Sequence, residues 1–527
     1  MRRLLLLAAV TGGTCAAVAA ALQTGIGLVE QRLEHHKLSW SARTIGPRDW
    51  TWTEISGPGL EAKSISISLG WPTRVMVDSP AIDLEQWLHD DSGKGQTKTR
   101  GWRPPYTLEV SGTQLLWADD ILTHSLSGQV YPKLTLSDGQ TEIHATWHQK
   151  PETLMSGWVH GDFPHDQVYG AGRLNFSIGK RMSFELDFPK AQPDHPFIAR
   201  ARMPQNPMKA RGVWDQKTGE LAAEGSLGEV KWTATGIAKP DSYALDIRVP
   251  LTPLSDVVAL FDDQIPEAKH AVIRGEMGLT AAITGPSLAM RFEPGARDLS
   301  VNGALPDSHS GQVIRWTTKR DDDAAPVHHM TGPRTSGWIN KASAGWMPDA
   351  VIASEDIRFL SHPGFDLVAI QESLANAKSD ERMRGGSTIT QQLAKNLFLD
   401  GRRTLLRKLR ELILALSLED RMSKDAILTL YLNVVEFGPG IWGIRDAADA
   451  WFLKTPDRLT PREAAFLASI LPAPRMWHEK ISTTGKVPIS RVNEVLARMR
   501  LRGSLSQTQY DQARAEKLRV VPPQPKG

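Results

Sequence analysis

The hydrophobic period of the chain changes near residues 320–337, and this change divides the sequence into two halves of different structural class. Before it, short runs such as Ser64–Leu69 alternate polar and apolar residues, a period of two that predicts half-buried strands. Turn-forming residues such as those at 137–139 separate these runs. After it, apolar residues recur about every 3.6 residues, which predicts amphipathic helices. The sequence therefore predicts a β-rich region followed by a mostly helical one.

The first half is predicted to be an antiparallel β-rich domain over residues 45–325, and the second a nearly all-helical domain over 338–485. The strands of the first half include Ser64–Leu69, Thr107–Leu116, Leu134–Trp147, Leu174–Phe188 and Glu229–Ile237, with short helices at Ala81–His89 and Pro253–Phe261. The helices of the second are Pro348–Leu360, Gly364–Ala377, Ile389–Leu397, Leu405–Asp420, Lys424–Asn433, Ile444–Phe452 and Pro461–Ile470. Residues 486–527 are interpreted as a further helix, Ile489–Arg502, and a Pro-rich tail.

The N-terminal 30 residues predict a transmembrane anchor. Arg2 and Arg3 precede Leu4–Leu28, a run without a charged side chain that is long enough for one membrane-spanning helix. Positive residues before the run favour a cytoplasmic N-terminus, so we expect a single-pass protein of the inner membrane with its bulk in the periplasm. A cleaved signal peptide is the main alternative, and lipidation of Cys15 is a third.

Composition excludes several classes of function. The formal net charge is only +3, which argues against a general polyanion binder, and we expect no nucleic-acid partner. Cys15 is the single cysteine, so neither an intrachain disulfide nor a cysteine metal cage can form. The histidines of the β-rich half show no repeated metal-ligand spacing, and no metal site is predicted from the residues.

The first chemical signal is the segment 355–366, EDIRFLSHPGFD. Glu355, Phe359 and His362 are spaced to lie on one face of a helix that must end before Pro363. A carboxylate at such a helix end, beside an apolar side chain, has the surroundings that raise a carboxyl pKa and suit a general base. A solvated acidic pair, Glu355 and Asp356, is the alternative.

The second signal, segment 385–396, reads GGSTITQQLAKN. Its two glycines lead into a helix capped by Ser387 or Thr388, whose first turn offers free N–H groups to an anion. Lys395 lies two turns further along the helix. An ordinary N-cap after a glycine loop explains the same residues without any ligand, and both interpretations stay open here.

The third signal is a run of five basic residues within 402–410, which contains no acid and is followed at once by Glu411. Helical spacings of three and four residues place Arg407 and Lys408 against Glu411. A surface ion pair is the alternative, and it would contribute only about 0.3–0.5 kcal/mol on a helix. So many cations ahead of an apolar stretch are better suited to bind a pyrophosphate.

Two further segments complete an ordered set. Residues 427–443 join two helices through a glycine-rich turn, and residues 463–474 form an apolar helix ending in LPAP. In this order and spacing, the five segments closely resemble the peptidoglycan glycosyltransferase family, the lysozyme-like transglycosylase domain of class A penicillin-binding proteins and of monofunctional biosynthetic transglycosylases. The resemblance runs from about Gly345 to Trp477 and does not include the β-rich half.

The resemblance implies an activity and a set of site residues. It implies that lipid II and the growing glycan strand are substrates at the membrane, joined by inverting β-1,4 transfer with release of polyprenyl pyrophosphate. It gives Glu355 the role of general base and Glu411 that of organising the cations and the leaving group. The sequence itself requires no cofactor, and the resemblance implies that a divalent cation, Mg or Mn, can assist at the pyrophosphate. The residues expected to bind substrate are Ser387, Gln391, Gln392, Lys395, Arg403, Arg407 and Lys408.

Two departures from the family pattern bear on function. Only residues 478–527 follow the matched segment, so no transpeptidase activity is expected. Residues 31–337 separate the predicted anchor from the catalytic segment, and we expect this region to contact envelope or cell-wall synthesis proteins. A lytic muramidase is the rival enzyme, although a hydrolase has no pyrophosphate to bind. A scaffold or lipid-binding protein with a silent enzyme domain is the non-enzymatic alternative.

Overall fold

The computed structural model describes most of the chain outside the N-terminal segment. The described residues are 34, 39–45, 49–57, 60–68, 73–78, 81–83, 106–117, 120–131, 133–137, 142–150, 153–162, 168–169, 171–179, 181–193, 203–215, 217–239, 242–285, 289–305, 313–318, 327–376, 386–399 and 404–521. The anchor predicted at 1–30 lies outside them. No helix within the described ranges is long and apolar enough to cross a membrane.

The described residues form two compact units. Those within 1–194, 202–247 and 283–288 form the first, and those within 195–201, 248–282 and 289–527 form the second. The predicted boundary at 325–338 therefore differs from the division in the structure, because residues 248–282, 289–305 and 313–318 belong to the same unit as the helices. Leu305, Ile314 and Trp316 are buried in the same apolar core as the helical residues.

The first unit is built from strands joined in sequence. They are β1 (Ala42–Ile45), β2 (Asp49–Gly57), β3 (Leu60–Ser68), β4 (Thr73–Asp78), β5 (Ala81–Asp83), β6 (Tyr106–Trp117), β7 (Asp120–Tyr131), β8 (Lys133–Ser137), β9 (Glu142–Lys150), β10 (Thr153–Asp162), β11 (Val168–Tyr169), β12 (Ala171–Ile178), β13 (Arg181–Pro193), β14 (Asn206–Asp215), β15 (Glu220–Leu227) and β16 (Val230–Lys239). Most neighbours pair antiparallel, as predicted. In β14–β16, side chains alternate between half-buried and exposed, which is the period of two seen in the sequence.

Two details of this unit differ from the prediction. β6 pairs in parallel with β4 and β5, with Val75 opposite Leu108 and Ile82 opposite Leu115, so the sheet is not wholly antiparallel. Parallel pairing requires a long return of the chain, and residues 84–105 provide the length for it. The short helix predicted at Ala81–His89 is wrong at its start, because Ala81–Asp83 is strand β5; its remainder lies outside the described residues.

The second unit contains helices, further strands and two-stranded hairpins. Its strands are β17 (Ser242–Pro253, which begins in the first unit), β18 (Val272–Thr284), β19 (Ala289–Asn302), β20 (Ile314–Thr318), β21 (Val327–Thr331), β22 (Glu436–Gly438) and β23 (Ile441–Trp442). Its helices are α1 (Leu254–Ala259), α2 (Met347–Glu355), α3 (Leu367–Asn376), α4 (Ile389–Phe398), α5 (Leu405–Arg421), α6 (Lys424–Val434), α7 (Gly443–Phe452), α8 (Pro461–Ile470), α9 (Pro474–Thr484), α10 (Ile489–Leu501) and α11 (Gln507–Ala515).

Helix α8 is the centre of the second unit. Every residue from 462 to 470 is buried, and Phe466 packs edge-to-face against Trp451 and Phe452. Helix α10 contributes Leu496 and Met499 to this core, so the segment that was interpreted as a separate C-terminal helix is part of the helical unit. Helix α9, which the periodicity did not predict, begins at Pro474.

Candidate active site

The Glu355 carboxyl lies at the C-terminal end of α2 and is held by neutral donors. The Ser354 hydroxyl donates to one carboxyl oxygen at 2.9 Å, and the Gln392 amide of α4 donates to the other at 3.0 Å. The Gln392 amide oxygen accepts in turn from the Tyr431 hydroxyl of α6 at 2.8 Å. Protein surrounds the carboxyl although part of the residue surface stays open, and this burial raises the pKa of Glu355.

The helix that carries Glu355 is shorter than predicted. α2 ends at Glu355 rather than at Leu360, and the prediction that Phe359 and His362 share its helical face is wrong. Asp356 leaves the helix with φ −161° because its buried carboxylate accepts from the Ile389 N–H at 2.9 Å and from His362 Nε2 at 2.9 Å. These contacts attach the first segment to the start of α4.

The glycine loop before α4 ends in a complete capping box. The Thr388 hydroxyl accepts from the Gln391 N–H, and the Gln391 amide oxygen accepts from the Thr388 N–H at 3.0 Å. Thr388 also donates to the Gly364 carbonyl at 2.6 Å. Gly386, at φ 92°, adopts the left-handed conformation that favours glycine. The ordinary N-cap considered above is therefore present: it is Thr388, and it uses the amide oxygen of Gln391. Ser387 is not the cap, and its hydroxyl accepts from Lys408 of α5.

Glu411 is buried in α5 between two cations. The residue is 1% exposed, and its carboxylate accepts from Arg407 and, at 2.6 Å, from Lys408. Lys408 also donates to the Ser387 hydroxyl at 3.3 Å, which links α5 to the glycine loop. The alternative of a surface ion pair is therefore wrong for Glu411. Arg403 and its neighbour Arg402 lie outside the described residues.

The Lys395 ammonium connects the two carboxylates. Desolvation lowers the pKa of the Lys395 ammonium, although the residue as a whole is exposed, and the charges of both Glu411 and Glu355 act in the opposite direction. Side chains of α4 and of the loop before it also contact the surroundings of both acids, since Gln392 donates to Glu355 and Ser387 accepts from Lys408, a partner of Glu411. Among the described residues, no carboxylate is within ion-pair distance of Lys395, so its charge is available to an anionic ligand.

Three residues of this site were not singled out in the sequence. Tyr431 orients Gln392, and Arg498 of α10 donates to the carbonyls of Ala353 and Ser354 at 3.4 and 3.5 Å, next to Glu355. Arg491, on the first turn of α10, lowers the pKa of Glu355 by its charge, against the larger effect of burial. Arginines spaced seven residues apart on one helical face were a usable signal, but the family resemblance ended at Trp477.

Known proteins are similar in sequence to the part of the chain that contains this site. Residues 326–500 match the Transglycosylase family model. The biosynthetic peptidoglycan transglycosylase of Escherichia coli is 45% identical over 166 residues, which cover 31% of this chain and 68% of that protein. The chain belongs to the transglycosylase family. A Salmonella heidelberg protein of the same name is 50% identical over 141 residues, 26% of this chain and 58%, less than two thirds, of that relative.

The chain also has a weak likeness to a solved structure. The penicillin-binding protein 1A of Haemophilus influenzae aligns with 40% of this chain and 21% of that chain, at 20% identity and a TM-score of 0.20. The transglycosylase match ends at residue 500, within α10, and so includes Arg491 and Arg498 as well as the predicted site residues. Residues before 326 lie outside the matched range.

The described residues contain one group of side chains that could hold a metal ion: Asp356, His362 and Asp366. Its atoms are already engaged: Asp356 binds His362 and a backbone N–H, and Asp366 accepts from Arg358 at 2.6 Å. A network bonded in this way does not fit a metal site and serves to join the first two segments. Glu411 is likewise unsuited to ligate a metal ion, because both of its carboxylate oxygens are bound by Arg407 and Lys408.

Proposed function

We propose that this transglycosylase polymerises lipid II into β-1,4 glycan strands and releases polyprenyl pyrophosphate. The observation that carries the proposal is that α4 and the loop before it contact the surroundings of both acids: Gln392 donates to the Glu355 carboxyl, and Ser387 accepts from Lys408, which binds Glu411. A glycosyl transfer from a diphosphate needs a proton acceptor for the nucleophile and positive charge for the leaving group, and both are provided here.

In the proposed reaction, Glu355 accepts the proton of the 4-hydroxyl on the incoming disaccharide lipid. The hydroxyl oxygen forms a bond to C1 of the growing chain as the C1–O bond to the diphosphate breaks, with inversion at C1. Lys395, Lys408 and Ser387 bind the departing diphosphate. Glu411 keeps Lys408 in place and acts as a positioning residue.

The setting of the reaction is part of the proposal. A substrate with a polyprenyl chain requires an enzyme at the membrane surface, and the uncharged run Leu4–Leu28 supplies a candidate anchor. We propose a single-pass protein of the inner membrane, active on its periplasmic side. Contacts with envelope or cell-wall synthesis proteins are proposed for the β-rich unit.

The decisive assay separates polymerisation from lysis. The full chain in detergent is incubated with radiolabelled lipid II and, separately, with purified sacculi. We expect high-molecular-weight glycan from lipid II, digestible by a muramidase, and no soluble muropeptides from sacculi. Soluble muropeptides without polymer would instead support the lytic alternative.

The pH dependence of polymerisation should report the Glu355 environment. A raised pKa leaves Glu355 protonated and inactive over a wider acidic range, so the rate should rise with pH through a midpoint above the ordinary value of about 4.3 for Glu. The groups around it are Ser354, Gln392 and Lys395, the Arg491 guanidinium and, through Gln392, Tyr431.

Changing Arg491 to Gln removes a positive charge that favours the carboxylate, so the midpoint should move to higher pH, whereas Arg491→Lys should keep it. Rate–pH profiles of kcat at saturating lipid II measure the shift. An unchanged profile in Arg491→Gln would contradict an electrostatic role for Arg491.

A further inference from the structure

A segment that precedes the residues matched by the family model packs onto helices α3 and α5. Residues 262–282 and 289–305, here called the brace, contain two 3-10 turns (Asp262–Gln264 and Pro266–Ala268), most of strand β18 and strand β19. The brace belongs to the same compact unit as α3 and α5. Because the match begins at residue 326, nothing in the family assigns it a role.

The main contact of the brace is an ion pair with the basic run of α5. Glu267, in the second 3-10 turn, accepts from Arg410 through both carboxylate oxygens, with Nε distances of 3.2 and 3.0 Å. The side chains are 12% and 27% exposed, so the pair is largely withdrawn from water. A bidentate arginine–carboxylate pair in such surroundings fixes geometry more strictly than a surface pair does.

Other contacts hold the far end of α5 and the neighbouring helix. Asn302 donates to Asp420 at 3.0 Å, and Arg421 donates to the Leu305 carbonyl at 3.5 Å. Gln371 of α3 donates to the Pro294 carbonyl at 3.0 Å. The brace therefore binds α5 near both ends, while Lys408 and Glu411 lie two residues and one residue, respectively, from Arg410.

We propose that the brace positions α5 for catalysis and that Glu267 is a positioning residue that acts through Arg410. Arg410 precedes Glu411 directly, and without Glu267 its guanidinium would lack its partner carboxylate beside the Glu411 site. The turn of α5 that carries Lys408 and Glu411 would then lose its anchor, because Asn302 and Leu305 bind the far end of the helix. Glu267 fixes this turn and so keeps Lys408 bound to Ser387 and Glu411. The kinetic consequence rests on the proposed function, whereas the structural one does not.

The test uses the full chain with Glu267→Gln, which keeps the shape of the side chain and removes its charge. Amide hydrogen exchange over residues 408–415 should become faster than in the wild type. Polymerisation of lipid II should lose about 10- to 100-fold in kcat/KM, as expected for a misplaced catalytic group. Glu267→Asp should recover part of the loss, and the charge swap Glu267→Arg with Arg410→Glu should recover more than either single change.

Glu276→Gln is the matched control, because it breaks the ion pair of β18 with Arg297 of β19, a pair that does not involve α5. It should leave both the exchange of 408–415 and kcat/KM unchanged. If Glu267→Gln behaves like this control in both measurements, the brace proposal is wrong. If the wild type makes no glycan, the proposed function fails, and the exchange measurement still decides the positioning of α5.

Discussion

Glu355→Gln is expected to lower kcat for lipid II polymerisation by about 10²- to 10⁴-fold, the usual contribution of a general base. Glutamine keeps the shape that Ser354 and Gln392 contact, but it cannot accept the proton of the acceptor hydroxyl. The measurement is glycan formation from labelled lipid II under single-turnover conditions, in which product release does not limit the rate.

The same variant should not unfold the protein. A folded-state pKa above the unfolded value means that the neutral carboxyl is the form the fold favours. The stability it contributes is therefore complete below the unfolded pKa and is lost as pH rises through the folded pKa. At neutral pH, neutral glutamine should leave the melting temperature unchanged or higher. Glu479→Gln, on the exposed surface of α9, is the control and should retain activity. Wild-type turnover by Glu355→Gln would remove Glu355 from the mechanism.

Glu411→Ala is expected to impair both stability and activity. Its removal leaves Arg407, whose side chain is 12% exposed, as a buried cation without its carboxylate. Breaking a buried pair in this way costs on the order of 3–5 kcal/mol. For a unit of this size, that corresponds to a fall of roughly 6–20 °C in melting temperature. Calorimetry of the full chain measures it.

The activity of the folded Glu411→Ala protein should also fall, by about 10²- to 10³-fold, because Lys408 loses the carboxylate that directs it to the leaving group. Glu463→Gln is the matched control. Glu463 is likewise buried and bound to a lysine, Lys454, but lies outside the site. It should lose stability and keep its kcat. Equal kcat losses in the two variants would assign Glu411 a purely structural role.

Helix starts were predicted well because they depend on neighbouring residues. α4, α5, α6 and α8 begin where predicted, each after a Ser or Thr whose hydroxyl accepts from a backbone N–H three residues on. α8 also ends at the predicted residue. Such caps act within one turn, so the local sequence contains the information that places them.

The errors arose where a residue's partner is distant in the chain. α2 stops at Glu355 because Asp356 binds the N–H of Ile389, 33 residues later, and no local pattern indicates that contact. The run of five basic residues was interpreted as one pyrophosphate pocket, yet Arg410 binds Glu267, 143 residues earlier. The parallel pairing of β6 with β4 and β5 is non-local in the same way.

The sequence by itself determined the two structural classes, the family and the chemical types available for catalysis, because periodicity, caps and motif spacing are local. Only the tertiary structure decided which charges stay free. It buries Glu411 between Arg407 and Lys408, binds Arg410 to Glu267, and leaves Lys395 near two carboxylates without an ion-pair partner among the described residues. Burial and charge partners set a pKa and an affinity for anions, and they exist only after distant segments have packed together.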